Sequence, residues 1–161
     1  MTLNIDHMMM QEAVKQARIA AEKDEVPVGA VITHENRIIA RAYNQIEALK
    51  DPTAHAEMIA ITQATNSLAS KWLPKCRMYV TVEPCSMCAG ALVLARIGKL
   101  FYGTSDPKTG ACGSVVNIAQ HPHLNHRIEV YKGLLEEECG QLLREFFKKK
   151  RKNFQGAENN P

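Results

Sequence analysis

Met10, Val14, Ala17 and Ala21 recur at steps of four, three and four, with Lys15, Arg18, Glu22 and Lys23 on other sides, so the spacing predicts an amphipathic helix ending near Asp24. Two apolar or β-branched stretches, 26–32 and 37–43, flank the polar turn His34-Glu35-Asn36 and predict a hairpin. Asp51-Pro52-Thr53 then interrupts the chain, and the run from Ala54 to Thr65 predicts a second helix. Residues 66–75 read as a solvent-facing loop, and 78–82 as a buried strand. Pro84 predicts a helix start, where its missing N–H costs little, and Gly98 predicts that helix's stop. A strand at 99–102, a loop at 106–110, a short strand at 128–131 and a helix from Leu134 to about Lys152 complete the chain. Strands alternate with helices after the hairpin. That order predicts the α/β class: a mixed sheet covered on both faces, a three-layer α/β/α sandwich.

A length of 161 residues suits one domain, expected to span 1–153 and to be followed by a frayed tail at 154–161. Apolar residues at 45% and charged residues at 23% exclude the disordered class, because enough apolar surface is present to build a core. The longest apolar run, 87–95, falls short of the roughly 18 residues a membrane-spanning helix needs. The start, 1–7, lacks the cationic flank and apolar run of a secretory signal, so a cytoplasmic protein without a membrane partner is expected. The net charge of +3 is the +5 of Lys148, Lys149, Lys150, Arg151 and Lys152 set against −2 on the rest. Such a block fits either a solvated helix end that favours the macrodipole or a contact for phosphates. Five cysteines, an odd number, argue against a disulfide framework and turn attention to metal or redox chemistry.

His55-Ala56-Glu57 opens one predicted helix, and Pro84-Cys85-Ser86-Met87-Cys88 opens another. A CxxC alone also fits a redox pair, and a lone His fits a helix cap. Together they suggest a metal site. Residues three apart on a helix lie within about 60° of one another, so Cys85 and Cys88 can converge on one ion. The first turn of a helix favours the thiolates such a site needs. His55 and Glu57 cannot share a helix face, yet both can approach a point just beyond the helix start, so two helix starts are expected to face one another. Thiolates with imidazole select zinc over magnesium or calcium. Three protein donors leave a coordination place for water, whose pKa zinc lowers from about 15.7 to near 7. Glu57 is then placed to shuttle protons rather than to bind the metal.

His-Ala-Glu with Pro-Cys-x-x-Cys resembles the signature of the zinc-dependent nucleoside and nucleobase deaminases, the cytidine/deoxycytidylate deaminase superfamily. Residues 25–31, 51–57, 83–91, 108–111 and 121–127 resemble, more closely, the branch that acts on adenosine in tRNA. The resemblance spans about residues 8–151. It implies a five-stranded mixed sheet, a homodimer, one zinc per subunit on His55, Cys85 and Cys88, and Glu57 as proton shuttle. It implies hydrolysis of adenosine to inosine at the wobble position of a tRNA anticodon stem-loop. Asn44 would recognise the base, Asp106 the neighbouring sugar, and Lys108 the nucleic-acid backbone, while Phe146 and Phe147 would pack or stack near displaced anticodon bases. Two alternatives remain: a deaminase of a free nucleoside or nucleobase, which shares every catalytic residue, and a non-catalytic zinc RNA-binding module or CxxC redox domain.

Overall fold

In a β-strand successive side chains point to opposite faces, so one strand can build two cores. The computed structural model describes residues 2–158 and uses its strands in that way. Five strands, β1 (Gly29–His34), β2 (Arg37–Tyr43), β3 (Cys76–Val82), β4 (Lys99–Thr104) and β5 (Glu129–Lys132), form one sheet in the order β2-β1-β3-β4-β5. β1 is antiparallel to β2 and β3, whereas β3, β4 and β5 run parallel. Ala30, Ile32, Met78, Val80, Leu100 and Tyr102 face one core, while their neighbours Val31, Tyr79 and Phe101 face the other.

The first core is covered by α3 (Ala56–Leu68) and α4 (Ser86–Leu94), through Ala56, Ala60, Ala64, Ala89 and Leu92. The second is covered by α1 (Thr2–Glu22) and α5 (Glu136–Glu158), through Met10, Ala13, Val14 and Cys139. Small residues on α3 and α1 let these helices sit close to the sheet. Asp6 on α1 accepts a hydrogen bond from the Tyr79 hydroxyl at 2.6 Å and pairs with Arg77 at 3.3 Å, which ties α1 to β3. A short helix, α2 (Ile46–Leu49), lies between β2 and α3. The sheet is the mixed, doubly covered one the pattern predicts. Among the described residues no helix is long and apolar enough to cross a membrane.

Several expectations change. Gly98 does not stop α4, which ends at Leu94 in a turn where Arg96 takes a positive φ of 53°. Pro84 stands outside that helix, because Cys85 is its N-cap. Within 66–75, residues 66–68 continue α3, and Leu73 is fully buried, its N–H bonded to the Ala95 carbonyl at 2.7 Å. The expected tail at 154–161 is helical as far as Glu158, since Asn153 to Glu158 contains no proline to break α5; 159–161 lie outside the described residues. The basic block 148–152 therefore lies in the body of α5, whose last turn carries no basic residue, and the macrodipole account of it fails.

At Gly29 the backbone of β1 runs directly against α1: a Cβ there would collide with the Ala13 carbonyl and the Ala17 N–H. Gly29→Ala should lower stability by about 1–3 kcal/mol, as overpacking does, seen as a drop of several degrees in the thermal midpoint.

Candidate metal centre and active site

α3 and α4 both begin at the edge of the sheet where β3 ends, and their N-cap residues are His55 and Cys85. An N-cap side chain commonly folds back onto its own helix's free N–H groups. Neither of these does, and each points instead toward the other. For α3 the missing cap is supplied from a different element: the Asn44 side-chain oxygen accepts the Ala56 N–H at 2.8 Å. The imidazole is thereby released from capping. Cys88, one turn into α4, completes the group.

His55 Nδ1 lies 3.7 Å from Cys85 Sγ and 3.5 Å from Cys88 Sγ. All three donor atoms fall within 4.8 Å of one another. A tetrahedral zinc, with sulfur at about 2.3 Å and nitrogen at about 2.0 Å, sets such atoms about 3.6 Å apart. The donor set and its spacing therefore fit zinc. Cys112 and the other two cysteines, Cys76 and Cys139, are buried elsewhere and stand outside this group.

The three donors and Glu57 shift one another's proton affinities in opposite directions. The Cys85 thiol is pulled well below its ordinary value, chiefly by a hydrogen bond from Cys88, against the opposing effect of burial. Cys88 is pushed up by that same partnership with Cys85, by burial and by Glu57. His55 is raised through its hydrogen bond with Cys85. Glu57, at the second position of α3, is buried, and its carboxylate stands 3.9 Å from His55 Nδ1. Burial drives its proton affinity up, with Cys88 and His55 pulling the other way.

Asn44, at 5% exposure, lies beside this group with its oxygen committed to Ala56, which leaves its NH2 as the donor available to a ligand. Asp106 and Lys108 sit on the loop after β4. The Asp106 carboxylate accepts the N–H groups of Lys108 at 2.9 Å and Thr109 at 3.1 Å, and the Thr109 hydroxyl at 2.7 Å. Burial would raise its pKa, but these bonds outweigh that effect and hold the group below its usual range. The loop joins this donor group through a β-bridge between Gly110 and Cys85 and a 2.9 Å bond from the Ala111 N–H to the Pro84 carbonyl.

The two phenylalanines are not equivalent and lie on α5. Phe146 is buried in a groove with Ala21 and Asp24 at the end of α1, whereas Phe147 is exposed, edge-on to Phe146 at 5.4 Å. Phe154, which sequence reasoning left in the tail, is an exposed aromatic on the same helix.

Besides Asp6, which ties α1 to β3, two buried carboxylates had no role in the sequence reading. Glu25, at the end of α1, accepts the N–H groups of Glu47 at 3.1 Å and Ala48 at 2.8 Å and so caps α2. Glu83, just before Pro84, accepts from the loop after β4. The available signal was an acid placed at the edge of an apolar run.

Comparison with known proteins agrees with this geometry. The sequence profile of the MafB19-like deaminases matches residues 4–151. The tRNA-specific adenosine deaminase of Aquifex aeolicus is 51% identical over 144 residues, covering 89% of this chain and 95% of that protein. That of Bacillus subtilis is 46% identical over 155 residues, 96% of each. A solved structure from work on A-to-I editing by tRNA:A34 deaminases at the wobble position superposes with a TM-score of 0.82 at 46% identity, covering 84% of this chain and 99% of that one. With its profile match across most of the sequence and near-full-length identity to these enzymes, the chain belongs to the MafB19-like deaminases and, among them, to the tRNA-specific adenosine deaminase family.

Proposed function

We propose that this protein hydrolyses adenosine to inosine at the wobble position of a tRNA anticodon, with zinc held by His55, Cys85 and Cys88 and with Glu57 moving the protons. The observation that carries this reading is the buried Glu57 carboxylate beside a three-donor group that has the spacing of a tetrahedral ion. When bound, zinc supplies a Lewis acid able to bring the pKa of water to about 7.

In the overall change a C6–O bond forms, the C6–N bond breaks, and ammonia leaves. Glu57 takes a proton from the attacking water and passes it to the adenine ring nitrogen, then takes the second proton from the new C6 hydroxyl and gives it to the departing amine, so that the C6 carbonyl forms as ammonia leaves. The raised proton affinity of Glu57 suits it to hold each proton between steps. The Asn44 NH2 offers the base a donor that cannot rotate away, because the oxygen of the same amide is fixed on α3. The target base leaves its stack to reach such a site.

Lys148 to Lys152, all exposed on α5, supply phosphate contacts, and Phe147 an exposed ring for stacking. Asp106 and Lys108, on the loop bridged to Cys85, are the groups this reading assigns to the sugar and backbone beside the target base. The same reading includes a cytoplasmic homodimer. The exposed Leu94, at the end of α4, and the exposed Trp72, whose ring carries Lys71 and Arg96 over it, support the second copy: they belong to segments joined by the Leu73–Ala95 hydrogen bond.

Glu57→Ala should lower inosine formation on an anticodon stem-loop by about 10²- to 10⁴-fold while elemental analysis still finds one zinc per chain; unchanged turnover would remove the mechanism. Cys85→Ser or His55→Ala should instead lose zinc and stability together, and chelation of the wild type should do the same. Replacing Lys148, Lys149 and Lys150 with Ala should raise KM for the stem-loop and flatten its dependence on salt, with kcat little changed. If wild-type enzyme acts on free adenosine or cytidine as fast as on the stem-loop, the assignment to tRNA fails.

A further inference from the structure

The loop that follows β4 has few apolar anchors of its own, yet it carries Asp106 and Lys108 and touches the metal ligand Cys85. Its backbone N–H groups need acceptors. They find one in Glu83, a carboxylate at 3% exposure. Oε1 accepts the Asp106 N–H at 3.1 Å and the Ser114 hydroxyl, while Oε2 accepts the N–H groups of Cys112 at 3.0 Å and Ser114 at 3.1 Å. The backbone of Glu83 joins in, since its own N–H reaches the Thr104 carbonyl at 2.9 Å. Gly110 lies flat against the carboxylate, where a Cβ would strike the Glu83 carboxyl group and the Asp106 carbonyl.

We propose that Glu83 is a positioning residue for the deamination: its carboxylate locks the loop 105–114 onto the junction of β3 and α4, and thereby fixes Asp106 and Lys108 relative to Cys85. The inference rests on the deaminase reading above and adds a role within it. Two tiers of acceptors build the loop. Glu83 holds the Asp106 backbone, and the Asp106 carboxylate in turn holds Lys108 and Thr109. Glu83 is two residues from Cys85 in sequence, so the frame that carries the metal ligand is also the frame that carries the substrate-facing loop.

Glu83→Gln tests the idea with almost no change of shape. Both carboxylate oxygens accept two donors, so an amide NH2 in either place confronts at least one backbone N–H, and one buried donor loses its partner. The variant is expected to keep one zinc per chain and to lose about 10- to 100-fold in kcat/KM on the anticodon stem-loop, mostly in KM. In an Asp106→Ala background the same substitution should cost less than about 3-fold, because the position it protects is already gone. Amide hydrogen exchange at Asp106, Cys112 and Ser114 should accelerate by about 10-fold or more in Glu83→Gln, a readout that needs no substrate. Additive losses in the double variant, unchanged exchange at those amides, or zinc loss as the whole defect would overturn the role of Glu83. Should Glu83→Gln fail to fold, Ser114→Ala removes one donor from the exposed side, and its few-fold rise in KM should vanish in the Asp106→Ala background; additivity there overturns the proposal equally. Wild-type enzyme inactive on the stem-loop sinks the substrate reading, whereas active wild type with additive variants sinks only the positioning role.

Discussion

Everything in this site depends on two helix starts that do not cap themselves. The first turn of any helix leaves four N–H groups without intrahelical partners, and the N-cap side chain is the usual source of an acceptor. Here both N-cap side chains, His55 and Cys85, are turned toward one another across the gap between α3 and α4. The cost is shifted to other residues. Asn44 caps α3 from the end of β2, and α4 begins against the loop at Gly110 through the bridge to Cys85. Freed of that local duty, the imidazole and the thiols converge at the spacing a tetrahedral ion asks for.

Sheet topology explains why the two starts meet. β3 and β4 are parallel and joined by α4, so α4 must begin at the carboxyl end of β3, the edge where open α/β sheets gather their ligands. α3 packs on β1 and β2 over the same face of the sheet. Irregular backbone at that edge needs acceptors, and buried carboxylates supply them: Glu25 for the start of α2 and Glu83 for the loop after β4. Such groups are stable inside the protein because donors converge on both of their oxygens.

The layers and the donor group were legible in the sequence because they rest on local periodicity and on residue types with few other uses. Met78 and Val80 against Tyr79 read as a buried strand, and two cysteines three apart at a helix start read as convergent. What escaped depends on contacts distant in sequence. Leu73 lies in a segment polar enough to suggest solvent, yet it is fully buried under the end of α4. α2, only four residues long, has no periodicity to read, and its N–H groups are held by Glu25, more than twenty residues earlier. Pro84 and Gly98 gave the right order of elements but the wrong boundaries, because Cys85 takes the cap position and the turn after Leu94 closes through Arg96 rather than glycine. The basic run in α5 looked like a helix end because Asn153, Phe154 and Gly156 beyond it are weak helix formers, yet the helix runs through them to Glu158.

The two faces of the sheet carry different groups, and the path between them is short in the chain. The donors and Glu57 belong to the α3/α4 layer, while the basic block and Phe147 belong to α5 on the opposite face. The groove that buries Phe146 is lined by Lys149 and Lys150 on one side and by Ala21 and Asp24 on the other. The next residue, Glu25, turns away from that groove to hold the start of α2, which follows directly on Asn44 and Gln45. The end of α1 is therefore the shared wall: on one side it packs against the cationic helix, and on the other it sets the segment that caps α3 and frees His55. On the proposal above, a polyanion lying along α5 would meet a surface built on the same turn that sets the start of α2 and, through Asn44, of α3.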